Sequence, residues 1–243
     1  MRNRTRIRVD LWRVTGRAGR IASRGAVIVL GAMLMVELVV LLGMIGPNLG
    51  MDFRFYRDAG QHWLDSGAFY LSRQLAGPYE LGLMGDVFYP PTALVLFVPI
   101  ALLPLPLAAL AWWGIPLAIL GATSRNWWVW LLVLLWPRAL GAFLFGNSDI
   151  WAAAAVAAGL RWGWPAVLVL VKPVYAPLAF VGIRHRSWWI GAALLAASVV
   201  VMFPLWRDYV MAMLNVRGLG LGYSLGSIPL VIAPLLGRRR QPI

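Results

Sequence analysis

Acidic side chains are scarce in this sequence, and most of them lie in one segment. Five of the nine acidic residues fall between Asp52 and Asp86, where the surrounding residues are mainly apolar or basic. Asp52 comes first, directly after a long apolar run. A carboxylate held in place can accept the proton of an attacking hydroxyl group, so Asp52 is a candidate general base. An aspartate at the start of a helix also caps exposed N–H groups, and that alternative stays open.

Two cations could stabilise an anionic leaving group, such as a lipid phosphate, beside a membrane. Lys172 is the only lysine in the chain, and it precedes Pro173 inside an apolar stretch. Proline frees backbone groups that can line a cavity, and charges at such positions are often functional. Arg138, which follows Pro137, is the second candidate. Lys172 could instead form an ion pair with Glu37 or Asp149.

Aromatic residues and one histidine are the candidates for binding a sugar. Tyr56, Tyr70 and Tyr89 could stack on a sugar ring, although packing at a membrane interface is the commoner use of tyrosine. His62 lies in the same polar segment and is a candidate for the acceptor site. With two histidines and no cysteine in the chain, a metal site is not expected.

The composition is that of an integral membrane protein. Hydrophobic residues make up 61% of the 243 positions and charged residues only 13%, whereas soluble domains carry about 25% charged residues. The net charge of +13 comes largely from arginines near the two ends of the chain. Basic residues beside membrane spans favour the cytoplasmic side and contact anionic lipids, so nucleic acid is not an expected partner.

The apolar runs predict an all-α, polytopic transmembrane helical bundle with about eight crossings and both termini cytoplasmic. Runs of roughly 15 to 20 residues match the length that an α-helix needs to cross a bilayer. The predicted parts are a basic cytoplasmic arm at 1–25, a single membrane domain at 26–237 and a basic cytoplasmic tail at 238–243. Within the membrane domain, the first outer loop covers 46–87 and contains an amphipathic helix.

Prolines mark the expected breaks in this bundle. The stretch from Leu103 to Pro106 alternates leucine and proline, which predicts a tight turn between two spans. Pro137 and Pro173 each adjoin a cation inside an apolar run, and this pattern predicts broken or re-entrant helices there.

Several short motifs occur in an order that resembles glycosyltransferase family 87. They are Asp52-Phe53, Tyr56, Gly67 and Tyr70, then Phe88-Tyr89-Pro90-Pro91, and later Lys172-Pro173 before a basic turn. The resemblance covers residues 26–205. The sequence departs from the family in having Gly146-Asn147-Ser148-Asp149 where the family tends to have Gly-Gln-x-Asn, and the chain is shorter than most members.

The resemblance implies a GT-C-like fold and a polyprenol-phosphate-mannose-dependent transferase of the plasma membrane. It implies transfer of a hexose to a glycan or glycolipid acceptor at the outer face, with Asp52 as the acidic residue of the first outer loop. The donor is a lipid-linked sugar phosphate and no cofactor is implied. Two alternatives remain: a transporter or lipid flippase, and a non-catalytic subunit that supports a membrane protein partner.

Overall fold

The structure is a computed structural model that describes most of the chain after residue 47. The described residues are 48–80, 85–124, 136–218 and 227–236, with 31–32, 35–40, 42–43 and the single residues 46, 129 and 133. The predicted basic arm at 1–25 and basic tail at 238–243 lie outside them. The chain divides into two units, Met1–Gly43 and Met44–Ile243. The described residues of the first unit are helical.

The second unit is mostly helical, which confirms the all-α class. Its α-helices, numbered within this unit, are α1 Met51–Ser66, α2 Ser72–Ala76, α3 Leu94–Leu102, α4 Leu105–Thr123, α5 Pro137–Phe145, α6 Asp149–Trp162, α7 Arg186–Val201, α8 Phe203–Asn215 and α9 Ile228–Leu236. Among the described residues, three 3₁₀ helices cover Pro91–Ala93, Trp164–Val171 and Pro173–Gly182. Two short strands, β1 Tyr79–Glu80 and β2 Val216–Arg217, pair in parallel with Tyr79 opposite Val216.

The polar segment forms the amphipathic helix α1, as the spacing of its apolar residues predicts. Its buried face holds Phe53, Tyr56, Ala59 and Gly60 and packs against α3. The two backbones approach so closely that a β-carbon at position 60 would collide with the carbonyl oxygen of Phe97. The helix therefore packs on α3 only with glycine at that position.

The predicted proline breaks are confirmed. Helix α3 ends at Leu102 and α4 begins at Leu105, so the leucine–proline stretch is a turn. Helix α5 begins at Pro137, directly after Trp136 in an extended conformation. The separate bend of 102° between α5 and α6 lies at residues 146–148, where there is no proline. Lys172 separates two 3₁₀ helices, because Pro173 starts the second one.

The number of membrane crossings is only partly supported. Among the described residues, α4 is the one helix long and apolar enough to cross a membrane by itself. Two bent pairs, α5 with α6 and α7 with α8, would raise the number to three if each pair forms one span. The eight crossings stay a prediction.

Candidate functional site

Three parts of the chain that are far apart in sequence meet at the start of α1. They are the first turns of α1, the break between α5 and α6, and the junction of the two longer 3₁₀ helices at Lys172. A backbone hydrogen bond of 3.0 Å from Gly50 N to Leu144 O joins the start of α1 to the end of α5. This contact brings Asp52 and Asn147 within hydrogen-bonding distance although 95 positions separate them.

The polar centre of this site is a chain of hydrogen bonds that runs from Asp52 to a buried ion pair. Asn147 donates from Nδ2 to Asp52 Oδ2 at 2.6 Å, and its Oδ1 accepts from Lys172 Nζ at 3.0 Å. Lys172 Nζ also contacts Asp149 Oδ1 at 2.6 Å. The Tyr175 hydroxyl group donates to the same Asp149 oxygen at 3.1 Å.

Gly146 makes the break between α5 and α6 that directly precedes Asn147 and Asp149 in this group. Its φ of +74° lies in the left-handed region, where a side chain is strained. A β-carbon there would also lie 2.7 Å from Phe53 Cβ and 2.8 Å from Trp113 Cζ2. Trp112 Nε1 donates to the Gly146 carbonyl at 2.8 Å and holds the break in place. Asn147, Ser148 and Asp149 follow it directly.

A cleft of about 810 Å³ opens beside Asp52, and this volume is ordinary for a small-ligand site. Its titratable lining side chains include three carboxyl groups, two phenols, one imidazole and one guanidinium group: Asp52, Asp58, Asp86, Tyr56, Tyr89, His62 and Arg54. Asn147 completes the wall next to Asp52.

The Asp52 carboxyl group is partly buried, and burial raises its pKa above the ordinary value of 3.8. The hydrogen bond from Asn147 and the positive charge of Lys172 each lower the pKa, while the nearby charge of Asp149 raises it. Burial is the largest of these effects. A carboxyl group with a raised pKa is a stronger base than an exposed aspartate, as base catalysis requires.

Three tyrosines come together at the site, but their hydroxyl groups mainly bond to the protein. Tyr56 and Tyr89 share a hydrogen bond of 2.7 Å between their hydroxyl groups, and Tyr89 also contacts Ser148 Oγ at 3.1 Å. Tyr70 donates to the carbonyl oxygen of Tyr89 at 2.8 Å. Tyr70 is buried and is not part of the cleft wall, so it supports the site and cannot stack on a bound sugar in this arrangement.

The two predicted phosphate-binding cations lie in different surroundings. Lys172 is 5% exposed and pairs with Asp149, one of the two partners that the sequence left open. Arg138 is exposed on α5 and does not line the cleft. Arg54, which the sequence analysis did not select, lines the cleft, and its Nη1 donates to the Leu49 carbonyl at 2.9 Å.

A second, apolar cavity of about 290 Å³ reaches Lys172, one member of the ion pair. Alanine, valine, leucine and tryptophan side chains from α6 and the first long 3₁₀ helix form most of its wall. Ser148 and Lys172 are its polar end. The residues that follow Gly146 therefore separate a polar cleft from an apolar one.

Asn147 is the residue that sequence reasoning missed. The sequence marks it only as part of the segment Gly146-Asn147-Ser148-Asp149, which departs from the family motif. A usable signal was present, because a run of three polar residues directly after a glycine is unusual within such an apolar region. In the part of the chain that the structure describes, no group of three or more acidic or histidine side chains could hold a metal ion.

Comparison of the sequence with protein-family models and with curated proteins finds no match, and comparison with solved structures finds none either.

Proposed function

We propose that this chain is a membrane hexosyltransferase that takes its sugar from a polyprenyl-phosphate carrier. The observation that carries the proposal is the Asp52 carboxyl group, which lines a polar cleft and accepts a hydrogen bond from Asn147. The acceptor is a glycan or glycolipid hydroxyl group at the outer face of the plasma membrane. Mannose is the proposed hexose on the resemblance to glycosyltransferase family 87.

In this mechanism the acceptor hydroxyl oxygen attacks the anomeric carbon of the donor. The bond from that carbon to the phosphate oxygen breaks, the hydroxyl proton passes to Asp52, and the polyprenyl phosphate leaves. One base is enough for a single displacement that inverts the anomeric centre. His62, at the exposed part of the cleft, is suited to contact the acceptor sugar, and Tyr56 and Tyr89 form its inner wall.

The departing phosphate needs positive charge beside it. Arg54 is the guanidinium group in the cleft wall, on the helix that carries Asp52. Lys172 contacts Asn147, and Asp149 balances its charge. Its main effect on the reaction is therefore the electrostatic interaction with Asp52 and not a direct contact with the phosphate. Arg138, outside the cleft wall, is better suited to lipid head groups.

The proposal includes a multi-pass arrangement in the plasma membrane with about eight crossings and both termini cytoplasmic. The outward side chains of α7 favour a lipid environment, since Ile190, Leu194 and Val200 are each more than 60% exposed. Basic residues at both ends of the sequence favour the cytoplasmic side. The cleft then faces outward with the first outer loop.

The test uses purified protein in right-side-out vesicles with labelled polyprenyl-phosphate mannose and an acceptor that cannot cross the membrane. We expect a labelled glycoside, and a loss of about 10²- to 10⁴-fold in kcat for Asp52→Asn, because one general base contributes that much. Asp65→Asn is the matched control, since Asp65 is an exposed acid of α1 that bonds Gln61 at 2.8 Å. Full transfer by Asp52→Asn would refute the proposal, and transfer only in inside-out vesicles would refute its topology.

A transporter or lipid flippase is the second candidate. The observation that favours it is the ion pair of Lys172 and Asp149 at a sharply bent helix break, because such features occur along transport pathways. The vesicle assay separates the two functions by the product. Movement of the intact lipid-linked sugar across the bilayer, with no new glycosidic bond, would favour the transporter.

A further inference from the structure

The side-chain amide of Asn147 has only one orientation that satisfies its neighbours. Its Oδ1 accepts from Lys172 Nζ at 3.0 Å and from the backbone nitrogen of Asp149 at 3.1 Å. A flipped amide would direct its NH₂ group at an ammonium group and a backbone N–H, which are both donors. The Nδ2 group must therefore face Asp52, to which it donates at 2.6 Å.

The backbone of Asn147 is held as well as its side chain. Its amide nitrogen donates to the Ala142 carbonyl at 2.7 Å, which closes the end of α5. On its far side, Lys172 is bonded to Asp149, so the cation that orients the amide is itself fixed. The chain of contacts from α6 to Asp52 consists of short bonds between buried or partly buried groups.

We propose that Asn147 is a positioning residue. Its side-chain amide, which the Lys172–Asp149 ion pair holds in place, orients the Asp52 carboxylate toward the cleft and stabilises its ionised form. The inference rests on the proposed function, because it concerns the same base. Asn147 does not touch the reacting atoms in this assignment. It acts only through Asp52.

The charged and titratable groups around Asp52 determine in which direction its pKa should change when Asn147 is replaced. The charges of Lys172 and Asp149 act on the Asp52 carboxyl group electrostatically. The titratable side chains that share its cleft are Arg54, Tyr56, Asp58, His62, Asp86 and Tyr89. Removal of the donor from Asn147 takes away a bond that favours the ionised carboxylate, so Asp52 would hold its proton to higher pH.

Two substitutions separate this role from a general effect on folding. Asn147→Asp keeps acceptor oxygens for Lys172 and for the Asp149 nitrogen, but it removes the donor to Asp52 and adds a like charge. Asn147→Ala removes both the donor to Asp52 and the acceptor for Lys172 and the Asp149 nitrogen. The matched control is Asn215→Ala, because Asn215 is another partly buried asparagine and donates to the Gln74 carbonyl at 2.9 Å.

Two readouts are measured on the reconstituted full chain. One is the protonation of Asp52, followed by infrared difference spectra of protein with ¹³C-labelled aspartate carboxyl groups, with Asp52→Asn identifying the band. The other is the pH profile of kcat and KM for transfer of labelled mannose. We expect both Asn147 variants to move the Asp52 midpoint and the acidic limb of kcat to higher pH. We also expect kcat to fall by about 10- to 100-fold with little change in KM, as for a misplaced catalytic group.

An unchanged Asp52 midpoint in Asn147→Asp would overturn the inference, whatever happens to activity. A midpoint that moves while the pH profile of transfer stays in place would instead overturn Asp52 as the base, and with it the proposed function. A rise in KM with kcat unchanged would also overturn the positioning role, because it would indicate a direct contact with substrate. Asn215→Ala should change neither readout.

Discussion

Asp52 and Asp86 line the same cleft, but the protein holds the two acids in different ways. Asp86 forms an ion pair with Arg73, whose Nη2 lies 2.7 Å from Asp86 Oδ1. Asp52 is bonded to the neutral amide of Asn147 at 2.6 Å. Burial is the main influence on both carboxyl groups and raises both pKa values.

Under the proposed function, the difference indicates which acid would take up the proton of the acceptor hydroxyl group. A guanidinium group in direct contact stabilises the charged form of Asp86 and occupies one of its oxygens. The neutral amide of Asn147 holds Asp52 in position but favours its charged form less than a guanidinium group would. The nearby cation, Lys172, contacts Asn147 and not Asp52. Asp86 therefore has the features of a structural acid and Asp52 those of a base.

The largest expected effect comes from the ion pair behind Asp52. Lys172→Met leaves Asp149 as an uncompensated charge, and the Asp149 side chain is only 2% exposed. We expect a loss of about 3–5 kcal/mol in the free energy of unfolding, measured by denaturant titration in detergent. Lys172→Met combined with Asp149→Leu should recover most of this loss. A double variant as unstable as the single one would contradict the account.

A smaller loss in the free energy of unfolding is expected when the ion pair of Arg73 and Asp86 is broken. Arg73→Met removes the ion-pair partner of a buried carboxylate and should lower the free energy of unfolding by about 1–3 kcal/mol. Transfer should stay within about threefold of the unchanged protein, because a structural acid does not carry the proton. Arg207→Met is the control, since its pair with Asp208 is exposed and is worth about 0–1 kcal/mol. A loss of transfer as large as that of Asp52→Asn would remove the distinction between the two acids.

The smallest expected effect is on the pH dependence of stability. The pKa of Asp52 is higher in the folded protein than its ordinary value of 3.8, so the folded state binds this proton more tightly. The stability that the proton provides is complete below 3.8 and is lost as pH rises through the folded pKa. Asp52→Asn is always neutral and avoids this loss.

We therefore expect Asp52→Asn to raise the melting temperature at pH 7, with a difference that shrinks as pH falls toward 3.8. The measurement is a series of thermal melts of both proteins between pH 4 and 8. A difference that stays constant over this range would mean that Asp52 does not titrate as described.

Much of the local structure could be predicted because it depends on neighbouring residues. The amphipathic spacing predicted α1, and the breaks at Pro104, Pro137 and Pro173 follow from the missing N–H group and fixed φ of proline. Asp52 was found from its position after an apolar run. The number of crossings does not follow from the apolar runs alone, because apolar stretches interrupted by proline form bent pairs and short helices as well as full spans.

The candidate site depends on contacts that no local pattern encodes. By itself, the sequence determined that Asp52 lies in a polar segment, that Lys172 is an isolated cation, and that a glycine precedes three polar residues at 147–149. Only the tertiary structure decided that Asn147 joins Asp52 to Lys172, that Lys172 pairs with Asp149, and that Arg138 does not line the cleft. The physical reason is that such pairings follow from how α1 packs against α3 and α5, and packing depends on complementary shape across residues far apart in the chain.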